Sequence, residues 1–198
     1  MKIIKNLEQN GDDWHNFRRE GIGGSDIAVL AGISPYETPL GLYEQKLGLK
    51  RSADLDPFLI ESGEGVELEA RDFFKTRPVN PIEFIPICVV SDENDIIRAS
   101  LDGFNGEKNI VLEVKFMGNN KFKKFKKTSV IIPNHLAQIQ WQLLVTKAEK
   151  AIYYVESFSG DFEYLEVFPD KEMQVKLKKL ALDFWENHIL TKVPPDKD

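Results

Sequence analysis

The stretch ASLDG at residues 99–103 is followed, after a short linker, by IVLEVK at residues 110–115. The second segment is apolar and rich in β-branched residues, which predicts a buried strand. Side chains two positions apart on a strand point to the same face of the sheet. We therefore expect Glu113 and Lys115 to project together, while Val114 between them turns into the core.

The linker at residues 104–109 is long enough for the chain to turn back, and the resulting hairpin would place Asp102 beside Glu113. An acid and a base in an apolar strand need partners, because burying an unpaired charge is costly. A cation ringed by carboxylates is one solution, and a simple ion pair between Glu113 and Lys115 is the other. This fragment alone leaves both open, since Asp-Gly and Glu-x-Lys often occur by chance.

The overall composition is that of a globular domain. The chain has 198 residues, with 42% apolar and 29% charged side chains, which predicts one domain over residues 1–198. No apolar run approaches the roughly 18 residues of a membrane helix, and residues 1–8 are too polar for a signal peptide. The single cysteine, Cys88, excludes an intrachain disulfide and a four-cysteine metal site. We expect an intracellular location and no membrane partner.

The charge is unevenly distributed along the chain. A net charge of −6, from 26 basic and 32 acidic residues, argues against a protein that simply coats nucleic acid. It does not argue against a nuclease, whose acids can gather around a metal while its lysines lie elsewhere. Residues 54–69 contain acids and no Lys or Arg, whereas residues 121–127 read KFKKFKK.

The order of predicted elements is helices, three strands, a helix, two strands and a helix. This order indicates an α/β or α+β fold, with a mixed central sheet flanked by helices. We predict a helix over Ile27–Ala31 with Ser25 as its N-cap, and a helix from Pro133 to about residue 146. Pro86 interrupts the apolar run at residues 82–90, which is typical of an edge strand.

A further helix is predicted from residue 57 to about residue 75, with a break at Gly63 or Gly65. Glu67 shares a face of this helix with Ala70, so its carboxylate is expected to point inward and to need a partner. A polar linker at residues 50–56 precedes it.

The lysine run has two interpretations. Non-specific DNA binding consists mostly of phosphate neutralisation, so Lys121, Lys123 and Lys124 are candidates for DNA contacts. Alternatively, the run is a solvated loop with Phe122 and Phe125 packed beneath it.

Seven short motifs in a fixed order support a family resemblance. They are Trp14-x-x-x-Arg18, Gly23-Gly24-Ser25-Asp26, Ser34-Pro35-Tyr36, Gly65-x-Glu67-x-x-Ala70-Arg71, Ser100-x-Asp102-Gly103, Glu113-x-Lys115 and Ala137-Gln138-x-Gln140. Together they resemble the phage-type recombination exonucleases, of the lambda exonuclease and YqaJ-like viral recombinase type, within the PD-(D/E)xK nuclease superfamily. Leu101 departs from the family pattern, which usually has proline before the aspartate.

The resemblance implies a restriction-endonuclease-like core and a metal site. Asp102, Glu113 and Glu67, with the carbonyl of Val114, would bind Mg²⁺, two ions in the family's usual picture, with Mn²⁺ as an alternative. Lys115 would orient or deprotonate the attacking water.

Two further groups of residues take their roles from the same resemblance. Gln138 would help to hold the attacking water, and Gln140 is a weaker candidate. Arg18, Ser25 and Ser100 would form a pocket for a 5′-phosphate, although Ser25 is also explained by helix capping alone.

The implied function is a Mg²⁺-dependent 5′→3′ exonuclease that degrades one strand of double-stranded DNA from its ends and releases mononucleotides. The family also implies a homotrimer, a single-strand annealing protein as partner, and a phage or prophage protein in the cytoplasm of a bacterial host. A structure- or site-specific endonuclease on the same core is the alternative. A non-enzymatic DNA-binding or assembly protein with a decayed site is the third hypothesis.

Overall fold

The fold is taken from a computed structural model, which describes residues 1–4, 7, 11–50 and 57–196, with only the backbone of residues 57–60. Its strands form one six-stranded sheet in sequence order. Strands β4 and β5 are parallel and the other neighbours are antiparallel, which confirms the predicted mixed sheet. The strands are β1 (Lys2–Ile4), β2 (Ile85–Val90), β3 (Arg98–Asn105), β4 (Ile110–Met117), β5 (Lys150–Ser157) and β6 (Phe162–Val167).

Helices cover both faces of this sheet. The last of them continues into a π-helical turn at Trp185–Ile189. Within the described residues, none is both long and apolar enough to span a membrane. The helices are α1 (Asp12–Arg19), α2 (Gly24–Leu30), α3 (Pro39–Lys46), α4 (Pro57–Thr76), α5 (Asn119–Thr128), α6 (Pro133–Thr146) and α7 (Lys171–Phe184).

Strand β4 lies between two hydrophobic clusters and alternates between them. Val111 belongs to the larger cluster, which also contains side chains of α2, α5 and α6. Leu112 and Val114 belong to the smaller cluster, which contains Ala70 and Phe74 of α4. Val114 therefore points into the core, as predicted, and its neighbours Glu113 and Lys115 take the face of Val111.

The sheet forks between β3 and β4. These strands pair only from Gly103 opposite Leu112 to Asn105 opposite Ile110. Past this point β4 stays paired with β5 as far as Met117, and β3 stays paired with β2. Asp102 and Glu113 are thus the first residues beyond the last β3–β4 pair, which confirms the predicted hairpin.

Gly103 makes this junction possible because it lies very close to Phe84, the residue before β2. A Cβ atom on Gly103 would be 2.7 Å from the Cβ of Phe84. The glycine of the Asp-Gly pair is therefore required by packing at the point where the strands separate.

Two predictions about the strands were wrong. Strand β2 is not an edge, because β1 pairs along its outer side, with Ile4 opposite Cys88. Pro86 lies at a register shift between Ile85 and Ile87. The linker expected at residues 104–109 is shorter, because strand β3 continues to Asn105.

The helix boundaries were also partly wrong. Ser25 is not an N-cap, because α2 begins at Gly24 and Gly23 is its N-cap. Helix α4 is unbroken at its glycines, and the lysine run is a helix rather than a loop. From residue 51 onward, the polar linker predicted at residues 50–56 lies outside the described residues.

Candidate functional site

Asp102 and the backbone of β4 meet at the fork. The amide N–H of Val114 donates a hydrogen bond of 2.8 Å to Oδ2 of Asp102. The N–H and C=O of one strand residue point to the same edge, so the carbonyl of Val114 also faces the fork. This carbonyl and the Asp102 carboxylate are oxygen donors on the same side of β4.

Glu113 is fully buried, and two side chains hold its carboxylate. Nζ of Lys115 lies 2.5 Å from Oε1, and Nε2 of Gln142 donates a hydrogen bond of 2.5 Å to Oε2. The ion pair that the sequence left open as the simpler alternative is therefore present. Lys115 keeps 24% of its side chain exposed, so the pair is reachable from solvent on the lysine side.

Helix α4 brings a third carboxylate to the fork. Glu67 is largely buried, and its carboxylate lies 3.6 Å from the guanidinium of Arg71, one turn along the helix. Arg71 also donates a hydrogen bond of 2.8 Å to the carbonyl of Asp102. Arg71 thus fixes α4 against β3, a role that its place in the sequence motif did not reveal.

The acids at the fork repel one another. Burial, followed by the charges of Glu113 and Glu67, raises the pKa of Asp102 well above its usual value. Burial alone would lower the pKa of Lys115, but Glu113 and Asp102 outweigh it and raise that pKa. The side chain of Lys115 is consequently protonated. It lies among carboxylates that outnumber the nearby cations.

The chemistry of these donors fits a hard divalent cation. Mg²⁺ prefers oxygen ligands, needs only one or two carboxylates and keeps several waters. Asp102, Glu113 and the Val114 carbonyl supply such a set, and a cation would relieve the repulsion that raises the pKa of Asp102. In the described ranges, no three His, Cys, Asp or Glu side chains already surround one point. Asp102 contacts the Val114 N–H, and Glu113 contacts Lys115 and Gln142.

Arg18, Ser25 and Ser100 form a second group, connected through Trp14. The guanidinium of Arg18 donates a hydrogen bond of 2.7 Å to Oγ of Ser25 and lies 4.5 Å from the centre of the Trp14 ring. The indole N–H of Trp14 donates to Oγ of Ser100 at 3.1 Å. The structure therefore brings together the three residues predicted to bind phosphate.

The glutamines of α6 are placed differently from one another. Gln138 is half-buried and packs against α2, where a Cβ on Gly24 would be 2.9 Å from its Cγ. Gln140 is buried away from the carboxylates, and its amide bonds to the carbonyl of Phe168 and the N–H of Asp170, both at 2.8 Å. The prediction for Gln140 thus finds no geometric support, because this side chain fastens α6 to the start of α7.

Gln142 is the residue at the site that sequence reasoning missed. It follows Gln138 by one helical turn, so both lie on the same side of α6. The sequence shows Gln142 only as a polar residue between the apolar Trp141 and Leu143, which indicates a need for a polar partner but does not identify Glu113.

Helix α5 presents its lysines to solvent. Lys121, Lys123 and Lys124 are exposed, whereas Phe122 and Phe125 are buried beneath them. The phenylalanines fix the helix on the sheet, with the ring of Phe125 centred 5.5 Å from that of Tyr153. The exposed lysines form a basic face next to the end of β4.

Comparison with known proteins identifies the family of this chain. Residues 13–149 match the model of the YqaJ-like viral recombinase domain. The chain is 28% identical over 204 residues to the uncharacterized protein YqaJ of Bacillus subtilis (strain 168), covering 99% of this chain and 62% of that protein. The chain thus spans less than two thirds of this relative's length.

Solved structures of low sequence identity share the fold. An alkaline exonuclease from Laribacter hongkongensis superposes with a TM-score of 0.73 at 16% identity, covering 91% of this chain and 94% of that one. A phage-related exonuclease from Haemophilus somnus 129PT gives a TM-score of 0.56 at 12% identity, covering 90% and 99%. The chain therefore shares the fold of these two proteins, and it belongs to the YqaJ-like viral recombinase domain family.

Proposed function

We propose that this chain is a Mg²⁺-dependent nuclease that degrades one strand of double-stranded DNA from its 5′ end and releases mononucleotides. The observation that carries the proposal is the meeting of Asp102, Glu113 and Lys115 at the fork, beside the Val114 carbonyl. The family supports a role in recombination, where the remaining single strand is the useful product. The Laribacter alkaline exonuclease has also been solved in complex with dAMP, a ligand of the size of the proposed product.

Each residue at the fork has a role in this proposal. Asp102, Glu113 and the Val114 carbonyl would hold Mg²⁺, with Glu67 nearby, and the bound ion would activate water and stabilise charge on the leaving oxygen. Lys115 orients the attacking water and offsets negative charge that develops on the scissile phosphate. Gln142 holds the Glu113 carboxylate in one orientation, and Gln138 contacts the water from α6.

The group of Arg18, Ser25 and Ser100 binds the 5′-phosphate in this proposal. Ser100 precedes Asp102 by two residues on one strand, which corresponds to about 7 Å. So short a separation between a phosphate pocket and the metal-binding carboxylates suits the removal of one terminal nucleotide at a time. Lys121, Lys123 and Lys124 contact the DNA backbone.

The assembly follows the same family resemblance. We propose a homotrimer that works with a single-strand annealing protein in the host cytoplasm. Sedimentation equilibrium of the purified chain tests the trimer, and a monomer at all accessible concentrations would contradict it.

Digestion of defined DNA substrates tests the function. Linear duplexes with 5′-phosphate or 5′-hydroxyl ends and a covalently closed circle are incubated with the protein in Mg²⁺ or in EDTA. We expect loss of the linear forms in Mg²⁺ only, faster with the phosphate, and an intact circle. Nicking of the circle would instead assign the endonuclease alternative, and binding without cleavage of any form would assign the non-enzymatic one.

A further inference from the structure

Next to the proposed phosphate pocket lies a buried ion pair that the proposed chemistry does not use. Nζ of Lys46, at the end of α3, lies 2.5 Å from Oδ2 of Asp26 in the first turn of α2. Only 4% of the Lys46 side chain and 9% of the Asp26 side chain are exposed. A buried ion pair typically contributes no more stability than apolar packing of the same volume, so stability alone does not account for it.

Both members of the pair also bind the segments that form the pocket. Lys46 donates a second hydrogen bond, of 2.6 Å, to the carbonyl of Arg18 at the end of α1. Asp26 accepts a hydrogen bond of 2.8 Å from the N–H of Gly23, the N-cap of α2. The ammonium of Lys46 thus joins the ends of α1 and α3 to the first turn of α2, where Ser25 lies.

Asp26 is also a potential partner for Arg18. The guanidinium of Arg18 is hydrogen-bonded to Ser25, the residue before Asp26, and its charge acts on both members of the pair. It donates to Ser25 at 2.7 Å instead, while the ammonium of Lys46 at Oδ2 neutralises the charge of the carboxylate. Without the ammonium, the unpaired carboxylate would attract the guanidinium, because a buried carboxylate needs a cationic partner.

We propose that Lys46 is a positioning residue that keeps Arg18 directed at the 5′-phosphate by neutralising the carboxylate of Asp26. This inference rests on the proposed function, because it assigns a cause to the geometry of the proposed pocket. Lys46 touches neither DNA nor metal in this account. Its effect is confined to how strongly the protein distinguishes a phosphate from a hydroxyl at the 5′ end.

The test compares two duplexes that differ only in the 5′-terminal group. Binding is measured by fluorescence anisotropy in EDTA, and kcat and KM are measured separately in Mg²⁺. Lys46→Gln keeps a donor for the Arg18 carbonyl and removes the charge. We expect the preference for the phosphorylated end to fall about tenfold in binding and in KM, with kcat on hydroxyl ends unchanged.

A second-site substitution separates positioning from general weakening of the fold. In Asp26→Asn/Lys46→Gln the competing carboxylate is gone, so Arg18 returns to Ser25 and the phosphate preference is restored. Lys50→Gln is the control, because it removes an exposed lysine that lies 3.2 Å from Glu37, and it should keep the wild-type preference.

Several results would overturn the proposal. Folded Lys46→Gln with the wild-type preference would do so, and so would a double variant that stays as impaired as the single one. If Lys46→Gln does not fold at 25 °C, the pair serves the fold as a whole and the proposal is wrong. Wild-type protein that does not cleave linear duplex in Mg²⁺ would contradict the proposed function instead. Wild-type cleavage with no preference between phosphate and hydroxyl ends would show that the 5′-phosphate pocket, on which this inference depends, is wrongly assigned.

Discussion

Two buried lysine–acid pairs in this chain have the same distance and opposite surroundings. Lys46–Asp26 and Lys115–Glu113 are each 2.5 Å apart. Around the first pair, one carboxylate faces the cations Lys46 and Arg18. Around the second, the carboxylates of Asp102, Glu113 and Glu67 outnumber the cations Lys115 and Arg71.

The pKa values show the difference. Burial would raise the pKa of Asp26, but Lys46 and Arg18 outweigh it and lower that pKa. The pKa of Asp102 is raised by burial and by its acidic neighbours. One region thus carries excess positive charge, suited to a phosphate, and the other carries excess negative charge, suited to a metal cation.

The largest expected effect is on catalysis at the acidic region. Lys115→Met removes the group that orients the attacking water, and we expect kcat on linear duplex to fall by about 10²- to 10⁴-fold. Lys150→Met is the matched control, because Lys150 pairs with Glu166 at 2.6 Å on the neighbouring strands and is partly exposed. Equal kcat for Lys115→Met and the wild type would remove Lys115 from the mechanism.

The two aspartates are expected to affect stability in opposite directions. Asp26→Asn leaves the Lys46 charge buried without its carboxylate and should lower the free energy of unfolding by about 3–5 kcal/mol. Asp102→Asn removes repulsion among the acids and should raise it by roughly 1 kcal/mol in metal-free buffer. Urea denaturation in EDTA measures both, and losses of equal size would show that the two regions do not differ in charge balance.

Mg²⁺ should stabilise the folded protein through the acidic region alone. At an ion concentration of about 100 times its Kd, the expected gain is about 2.7 kcal/mol. Thermal unfolding with and without Mg²⁺ measures it as a rise in Tm. Asp102→Asn should abolish the rise and Lys50→Gln should keep it, whereas an equal rise in Asp102→Asn would place the ion elsewhere.

The smallest expected effect concerns pH and His135, whose Nδ1 lies 2.7 Å from the Tyr153 hydroxyl. Burial, with the charges of Lys115 and Lys121, lowers the pKa of His135 to about 3. The unfolded chain binds this proton near its ordinary pKa of about 6.5. The neutral ring therefore contributes fully to the free energy of unfolding above pH 6.5. This contribution is lost as the pH falls toward 3, by at most about 1.4 kcal/mol per pH unit.

His135→Gln should make the free energy of unfolding less dependent on pH between about 6.5 and 5. Urea denaturation over this interval provides the measurement. His15→Gln, at an exposed position of α1, is the control. An unchanged pH dependence in His135→Gln would show that the ring is protonated alike in the folded and unfolded chains.

Local patterns in the sequence predicted the elements that carry the fork. The period of two along β4 placed Glu113 and Lys115 on one face, and Pro133 marked the first residue of α6. The helix at the lysine run was not predicted, although Phe122 and Phe125 are three residues apart, as on one face of a helix. These features depend on residues that are close together in the sequence, so the sequence alone is enough to predict them.

Features that depend on distant contacts were not predictable in this way. The short strand β1 is recognisable only from its pairing with β2, more than eighty residues away. The partners Asp26 and Lys46 lie twenty residues apart on different helices. Gln140 and Gln142 are both buried glutamines on α6, and only the packing of β4 and α7 against that helix decides which of them reaches Glu113.

The most direct test of the proposed activity follows the ends of one linear duplex during digestion in Mg²⁺. One strand carries a radioactive phosphate at its 5′ end, and a second preparation carries the label at the 3′ end. We expect the 5′ label to appear first, as a mononucleotide, and EDTA to prevent its release. Earlier release of the 3′ label, or labelled oligonucleotides as the first products, would contradict a 5′→3′ exonuclease.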